Sequence, residues 1–305
     1  SGMGVSLSFD DAVVNASVLK DMDVFWRKMF MTIGMLIAVF GMRLVFPIAI
    51  VAVATSSGML DVFQLALNHP KEYAAALTKH HLEIATFGGT FLLLVFLNFI
   101  FDQEKEHHWL GELEAKLARL GKIEAVSILV TLLLLCGLLS QLPNKEEQLL
   151  ALLSGILGII LYVAVDGLGA LFESEETGDA VTGTVKRAGF ASFMYLEVLD
   201  ASFSFDGVIG AFAISNDIVI IMLGLTIGAM FVRSLTIFLV EKGTLDNYIY
   251  LEHGAHYAIG ALALIMFAST LHHIPEAVTG IIGVLFIVVS LWSSVLYNKK
   301  QAIAE

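Results

Sequence analysis

The sequence predicts an all-α polytopic membrane protein, with about nine transmembrane helices in two inverted four-helix repeats joined by a linking helix. Three observations predict it: an apolar composition, long uninterrupted apolar runs, and one set of motifs that occurs twice. Of the 305 residues, 57% are apolar and 15% charged, against about 45–50% and about 25% in a soluble domain. The mean hydropathy is +0.83. Runs such as Ile123–Leu142 and Ile274–Tyr297 are close to the roughly 20 residues that cross a bilayer as a helix.

Nine segments are expected to span: 5–19, 30–55, 83–101, 123–142, 149–171, 190–213, 217–240, 254–271 and 277–297. The first is short, since fifteen residues rise only about 22 Å against a core of about 30 Å. It reads as a half-helix or as a span whose beginning is missing. Between spans 3 and 4 the pattern changes. Leu110, Leu113, Leu117 and Leu120 recur at helical spacing among charges, which predicts an amphipathic helix outside the hydrocarbon core. Four prolines and no Pro/Gly/Ser-rich linker predict a single membrane domain over 1–305. Within it, repeat 1 covers 5–142, the linking span 149–171 and repeat 2 190–297. Ser1-Gly2 ahead of Met3 reads as the remnant of a cleaved tag.

Lysine and arginine test the span count. Arg43 and Arg233 fall inside spans; of the other fifteen, twelve lie in the connections after odd-numbered spans or in the tail, and three in those after even-numbered spans. Cytoplasmic connections carry such an excess. The expected orientation has the N-terminus outside and the C-terminus in the cytoplasm of a bacterial-type inner membrane.

The repetition is in register. Ser6-Leu7-Ser8-Phe9-Asp10 recurs as Ser202-Phe203-Ser204-Phe205-Asp206, and Gly34 with Arg43 recurs as Gly224 with Arg233. His81 with Gly88 matches His253 with Gly260, and Glu124-Ala125-Val126-Ser127 matches Glu276-Ala277-Val278-Thr279. The offsets shrink steadily from 196 to 152 positions, as they would if the second copy had shorter loops. With an odd number of spans between Asp10 and Asp206, the two copies run in opposite directions. Inverted repeats with polar groups near mid-membrane are the architecture of many secondary transporters.

Composition removes several function classes. A net charge of −12 with 17 Lys and Arg leaves no basic surface for nucleic acid. One cysteine, Cys136, allows neither a disulfide framework nor a cysteine metal site. What stands out instead is charge inside the spans. An ionised carboxylate in hydrocarbon costs about 2.5–3.5 kcal/mol on insertion scales, and such residues mark ion or proton paths. Asp10 and Asp206, each preceded by two serines, suit a cation held between the halves. Carboxylate, hydroxyl and amide oxygens are hard ligands for Mg, Ca or Mn.

Around that pair, Asn15, Ser8 and Ser204 are auxiliary oxygen ligands. Asp11 points about 100° away from Asp10 and either adds charge to the site or reaches solvent. Glu197 serves either as a further ligand or structurally; with Asp200 it precedes Asp206 by nine and six positions, so the three do not share one narrow face. Arg43 and Arg233 are the charge-balancing residues, neutralising the carboxylates or broken helix backbone. Asp166 is expected at a helix end before Gly167. His80, His81 and Glu83 fall at one end of span 3, with His253 and His256 at one end of span 8. Inversion puts those clusters on opposite sides, and no H-E-x-x-H is present.

The stretch from Ser6 to Ala16 resembles the L-S-[FI]-D-N-A signature of the TerC family of integral membrane proteins, which is grouped with LysE-type exporters. Tyr195 to Gly207 resembles its second signature, and Tyr250 to His256 resembles a branch of it. The resemblance covers nearly the whole chain. Asp11 stands where that family has Asn, and Gly4 where it has Glu. The resemblance implies export of a divalent metal, chiefly manganese, with the paired aspartates as ligands and tellurium or metal-stress resistance as an indirect effect.

The expectation is therefore a transporter, not an enzyme, moving a divalent cation outward by alternating access. No cofactor is expected apart from the transported cation. Its partners are the lipid bilayer and that cation, with a homo-oligomer left open. No G-x-x-x-x-G-K-[ST] for nucleotide is present, so a proton gradient or the membrane potential would drive it. Two rivals remain: an intramembrane metallohydrolase using the histidines, and a membrane scaffold for a stress-response complex.

Overall fold

The computed structural model describes residues 2–55, 57–103, 105, 107–123, 125–173, 181–214, 218–272 and 274–304. Within these segments, the side chains at 2–8, 10, 46, 50, 53, 54, 168–173, 181–188, 205, 206, 209, 210, 212–214, 218, 276, 277 and 302–304 lie outside the description. Among the described residues every regular element is helical. In chain order they are α1 (Gly2–Leu19), α2 (Val24–Met29), two π-helical stretches (Phe30–Gly34 and Ile37–Val45), α3 (Phe46–Thr55), α4 (Met59–Asn68), α5 (Pro70–Lys79) and α6 (His81–Phe101). Then come α7 (Glu112–Ala118), a 3₁₀ turn (Arg119–Lys122), α8 (Val126–Leu139), α9 (Lys145–Glu173), α10 (Val181–Ile214), α11 (Ile218–Glu241), α12 (Thr244–Asn247), α13 (Leu251–Ser269) and α14 (Glu276–Ala304).

Among the described residues, five helices are long and apolar enough to cross a membrane: His81–Phe101, Lys145–Gly167, Val219–Glu241, Leu251–Ser269 and Val278–Gln301. Two bent pairs, Val24–Gly34 with Ile37–Ala49 and Glu112–Lys122 with Val126–Leu139, raise the number to seven if each counts as one span. Together these occupy seven of the nine expected positions. The first and sixth expected spans rest on α1 and α10, much of which lies outside the described side chains.

The bends have local causes. The 43° bend in the first pair falls where the backbone loosens into π turns, a recognised source of kinks. Pro47 follows, and without an N–H it cannot complete the ladder. The 103° corner before α8 turns on Ala125, whose φ of +61° is left-handed and costs about 1–2 kcal/mol for a residue with a Cβ. As a result α8 has only 14 residues, about 21 Å, rather than the 20 expected. Asp166 also differs from expectation: α9 continues through Gly167 to Glu173, so it lies inside a helix. The connection expected between spans 2 and 3 folds into α4 and α5. Val62 with Ala66, and Tyr73 with Leu77, are buried pairs at helical spacing, and Pro70 starts α5 where its missing N–H is harmless.

The chain divides into two compact units that cut across the sequence repeats. The first comprises Ser1–Ser17, Ala85–Tyr162 and Leu235–Glu305. There α6 and α13 are packed antiparallel: Phe99 meets His253 and His256, Phe96 meets Tyr257 and Gly260, and Gly88 meets Met266. Conversely α6 and α9 run parallel, with Thr86 against Gly155, Phe87 against Gly158 and Phe91 against Tyr162. Helix α14 runs antiparallel to α13, with Ser290 against Gly254 and the Ser294 hydroxyl accepting from the Tyr250 N–H at 3.0 Å.

The second unit comprises Val18–Ile84 and Val163–Ser234. Its core includes Ile48, Val51 and Ala52 of α3, Val62 and Ala66 of α4, Tyr73 and Leu77 of α5, Val208 of α10 and Ile221 of α11. Helix α10 packs on α5, α2 and both π-helical stretches.

Candidate functional site

Two helices bury polar side chains at the repeated motif. On α1, Asp11, Asn15 and Ser17 are buried beside fully buried Ala12, Val13, Val14 and Ala16. Asn15 is 1% exposed, and its Oδ1 has no hydrogen-bond partner among the described residues. The Ser17 hydroxyl donates to the Val14 carbonyl at 2.8 Å. On α10, Glu197, Asp200, Ser202 and Ser204 are buried. The Ser202 and Ser204 hydroxyls donate to the Val198 and Asp200 carbonyls at 3.0 and 2.5 Å, leaving oxygen lone pairs as acceptors. Asp10, Ser8 and Asp206 lie on these helices with side chains outside the described residues. Asp10 belongs to the first compact unit and Asp206 to the second.

In the second unit, two arginines meet two carboxylates. Arg233 Nη2 binds both oxygens of Glu197, at 3.0 and 3.2 Å, and lies 3.7 Å from Asp200 Oδ2. Arg43 Nη1 approaches the same Asp200 oxygen at 3.6 Å. Each guanidinium also caps loosened backbone. Arg233 Nη1 donates to the Phe30 carbonyl at 2.6 Å, and Arg43 Nη1 to the Ala38 carbonyl at 2.8 Å. Arg233, 2% exposed, stacks 4.0 Å over the Phe30 ring. The four side chains sum to zero formal charge, and their pairing offsets part of the cost of burying them together.

Gly34 makes room for this arrangement, since a Cβ there would fall 2.5 Å from Glu197 Oε1 and 2.6 Å from Arg233 Nη1. Among the described residues Asp200 Oδ2 is buried without a hydrogen-bond partner, near two cations yet beyond hydrogen-bonding distance of both. Glu197, by contrast, has both oxygens committed to Arg233. Glu197 and Asp200 lie three residues apart and so share a helix face, whereas Asp206 does not.

The histidines serve other contacts. His80 Nδ1 lies 3.0 Å from Glu83. His253 Nε2 lies 2.9 Å from the His107 carbonyl, to which it donates, and 3.4 Å from Glu114. His256 Nδ1 lies 2.9 Å from the Glu252 carbonyl, and its ring stacks on Phe99 at 3.9 Å. Among the described residues no group of three or more His, Cys, Asp or Glu is placed to hold a metal ion; Asp10 and Asp206 lie outside that set.

A buried carboxylate in the first unit escaped the sequence reading. Glu114 on α7 is 0% exposed, 2.7 Å from Lys105 Nζ, and accepts from the Leu110 N–H at 3.2 Å. The leucine spacing marks the segment as amphipathic without naming its buried face. Nothing in the local pattern marks Glu114 except its place four residues before Ala118, the other buried position of α7.

Residues 9–301 match the model of a family described as "Protein of unknown function (DUF475)". The chain belongs to this family. The DUF475 match takes in α1 from Phe9, both arginines, both carboxylates of the network, and the two aspartates Asp10 and Asp206. The chain is also similar to the uncharacterized membrane protein YceF of Bacillus subtilis (strain 168). The two are 27% identical over 202 residues, covering 55% of this chain and 77% of that protein. No solved structure matches. With five to seven helices able to cross a bilayer, this DUF475 protein is a membrane protein. The TerC family is not the one the match names.

Proposed function

We propose that the protein is a transporter that carries a divalent cation, manganese foremost, outward across a cytoplasmic membrane by alternating access between inverted halves. The observation that carries this reading is the burial of Asp11 and Asn15 on α1 and of Glu197, Asp200 and Ser204 on α10, at the two copies of one motif. Polar and ionisable groups inside apolar helices are expensive, and they are commonly kept where they line a path. In this reading Asp10 and Asp206 are the core ligands, with Asn15, Ser8, Ser204 and Asp11 around them. Arg43 and Arg233 hold Glu197 and Asp200 as a neutral network beside the path, which takes Glu197 out of the ligand set.

The packing directions support the topology. Helices α6 and α9 are parallel while α6 and α13 are antiparallel, so α9 and α13 point in opposite directions. If α11 crosses, a crossing by α10 is what restores that parity.

The test is manganese accumulation by cells under manganese load. Cells carrying Asp206→Asn are expected to hold more manganese than wild-type cells, and Arg43→Gln cells to show the same defect only where the protein fails to fold. Equal accumulation in Asp206→Asn and wild-type cells, with the variant present in the membrane, would overturn the proposal.

A further inference from the structure

Helix α7 buries a glutamate while apolar side chains on it and just after it stay exposed. A helix on a water-exposed surface buries its leucines and exposes its glutamates. Here Glu114 and Ala118 face the protein and Leu117 is half-buried, while Leu113 of α7, Leu120 of the 3₁₀ turn and Ile123 just beyond it are 59%, 42% and 56% exposed. The inward carboxylate is satisfied by Lys105, His253 and the Leu110 amide, so the orientation is fixed by a buried ion pair. The outward face mixes the exposed leucines with Lys116, Arg119 and Lys122; among the described residues of α7 and the 3₁₀ turn, the carboxylate exposed beside them is Glu112, 3.6 Å from Lys116.

We propose that α7 and the 3₁₀ turn after it lie in the plane of the membrane, with their leucines in the headgroup boundary and their three cations on anionic lipid. Three observations converge on a lipid surface as the occupant. The 103° corner at Ala125 sets α7 nearly perpendicular to α8, so if α8 enters the bilayer, α7 runs along its surface. Apolar side chains flanked by Lys and Arg are the composition of helices that rest in that boundary. The connection holding them, 102–122, contains four of the Lys and Arg residues, more than any other, and basic residues near a span are drawn to an anionic leaflet. The inference stands whatever the protein carries.

The test uses the full chain with Cys136→Ser, and Leu113→Cys or Leu120→Cys labelled with an environment-sensitive fluorophore. It is placed in nanodiscs of phosphatidylcholine alone or with phosphatidylglycerol. The expected result is a blue-shifted emission quenched more by bromines near the headgroups than by bromines at the chain ends. The shift should grow with phosphatidylglycerol, and the triple variant Lys116→Gln, Arg119→Gln, Lys122→Gln should lose that growth. Stronger quenching by chain-end bromines would overturn the proposal in favour of a re-entrant loop. Quenching by aqueous iodide in both lipids would overturn it in favour of a solvated segment, and a signal that needs two copies per disc in favour of a protein contact. Growth that persists in the triple variant would overturn the role of the cations.

Discussion

Remove the Arg233 guanidinium and Glu197, Asp200 and the Phe30 carbonyl lose a donor or counter-charge together. Arg43 cannot replace it, because its own Nη1 donates to Ala38 and it reaches only Asp200. Breaking one side of a buried pair costs about 3–5 kcal/mol, whereas replacing both sides with apolar groups can be neutral or stabilising. Arg233→Leu is therefore expected to lose about that much stability against unfolding in mixed detergent micelles, and Arg233→Leu with Glu197→Leu to recover most of it. Strictly additive losses would show that the two side chains do not act as a pair. That two arginines in apolar spans would find carboxylates was legible from their depth alone. Which carboxylates they find depends on the three-residue spacing of Glu197 and Asp200, which puts both on one face of α10. Whether Asp10 and Asp206 meet is a matter of tertiary placement that no spacing within one helix encodes.

At the scale of elements, long apolar helices were legible because hydropathy alone defines them. Short ones were not: α4 and α5 have ten residues each, too few to stand out as spans, and tertiary burial of Val62, Ala66, Tyr73 and Leu77 decides their packing. Helix α7 was legible as an amphipathic helix, but which face it buries was not, since leucines imply a protein core only if the outside is water. Its buried carboxylate gives it a pH signature. Burial pushes the Glu114 carboxyl up, but hydrogen bonds from His253, Lys105 and the Leu110 amide, with the Lys105 charge, outweigh this and lower it from 4.5 to about 2. A folded-state value below the unfolded one contributes stability that is present above pH 4.5 and lost as the pH falls through about 2. The apparent melting midpoint in detergent should thus fall more steeply on acidification below about pH 4.5 for the wild type than for Glu114→Gln. Parallel curves would mean that this carboxylate does not support the fold of the 102–122 segment.

For the molecule as a whole, the inversion of the two halves depends on how many crossings separate Asp10 from Asp206. The directions of α6, α9, α13 and α14 support alternate crossing from span 3 to span 9, including α10. They say nothing of α1, whose 18 residues rise about 27 Å against a hydrocarbon core of about 30 Å. A half-helix that enters and leaves by the same side would put the N-terminus and Asp21 on one face, and the first copy of the motif would then lack its inverted relation to the second. Single cysteines in a Cys136→Ser background separate the cases, read with a membrane-impermeant maleimide applied from outside intact cells. With nine crossings, an N-terminal tag, Asn144→Cys and Asn216→Cys react, while Asp21→Cys, Glu175→Cys and Lys300→Cys stay protected until the membrane is opened. Protection of the N-terminal tag together with Asp21→Cys, while Asn144→Cys and Asn216→Cys still react, would remove the first crossing. The paired-aspartate site would go with it, because a cation held between inverted halves needs both copies of the motif to reach mid-membrane from opposite sides.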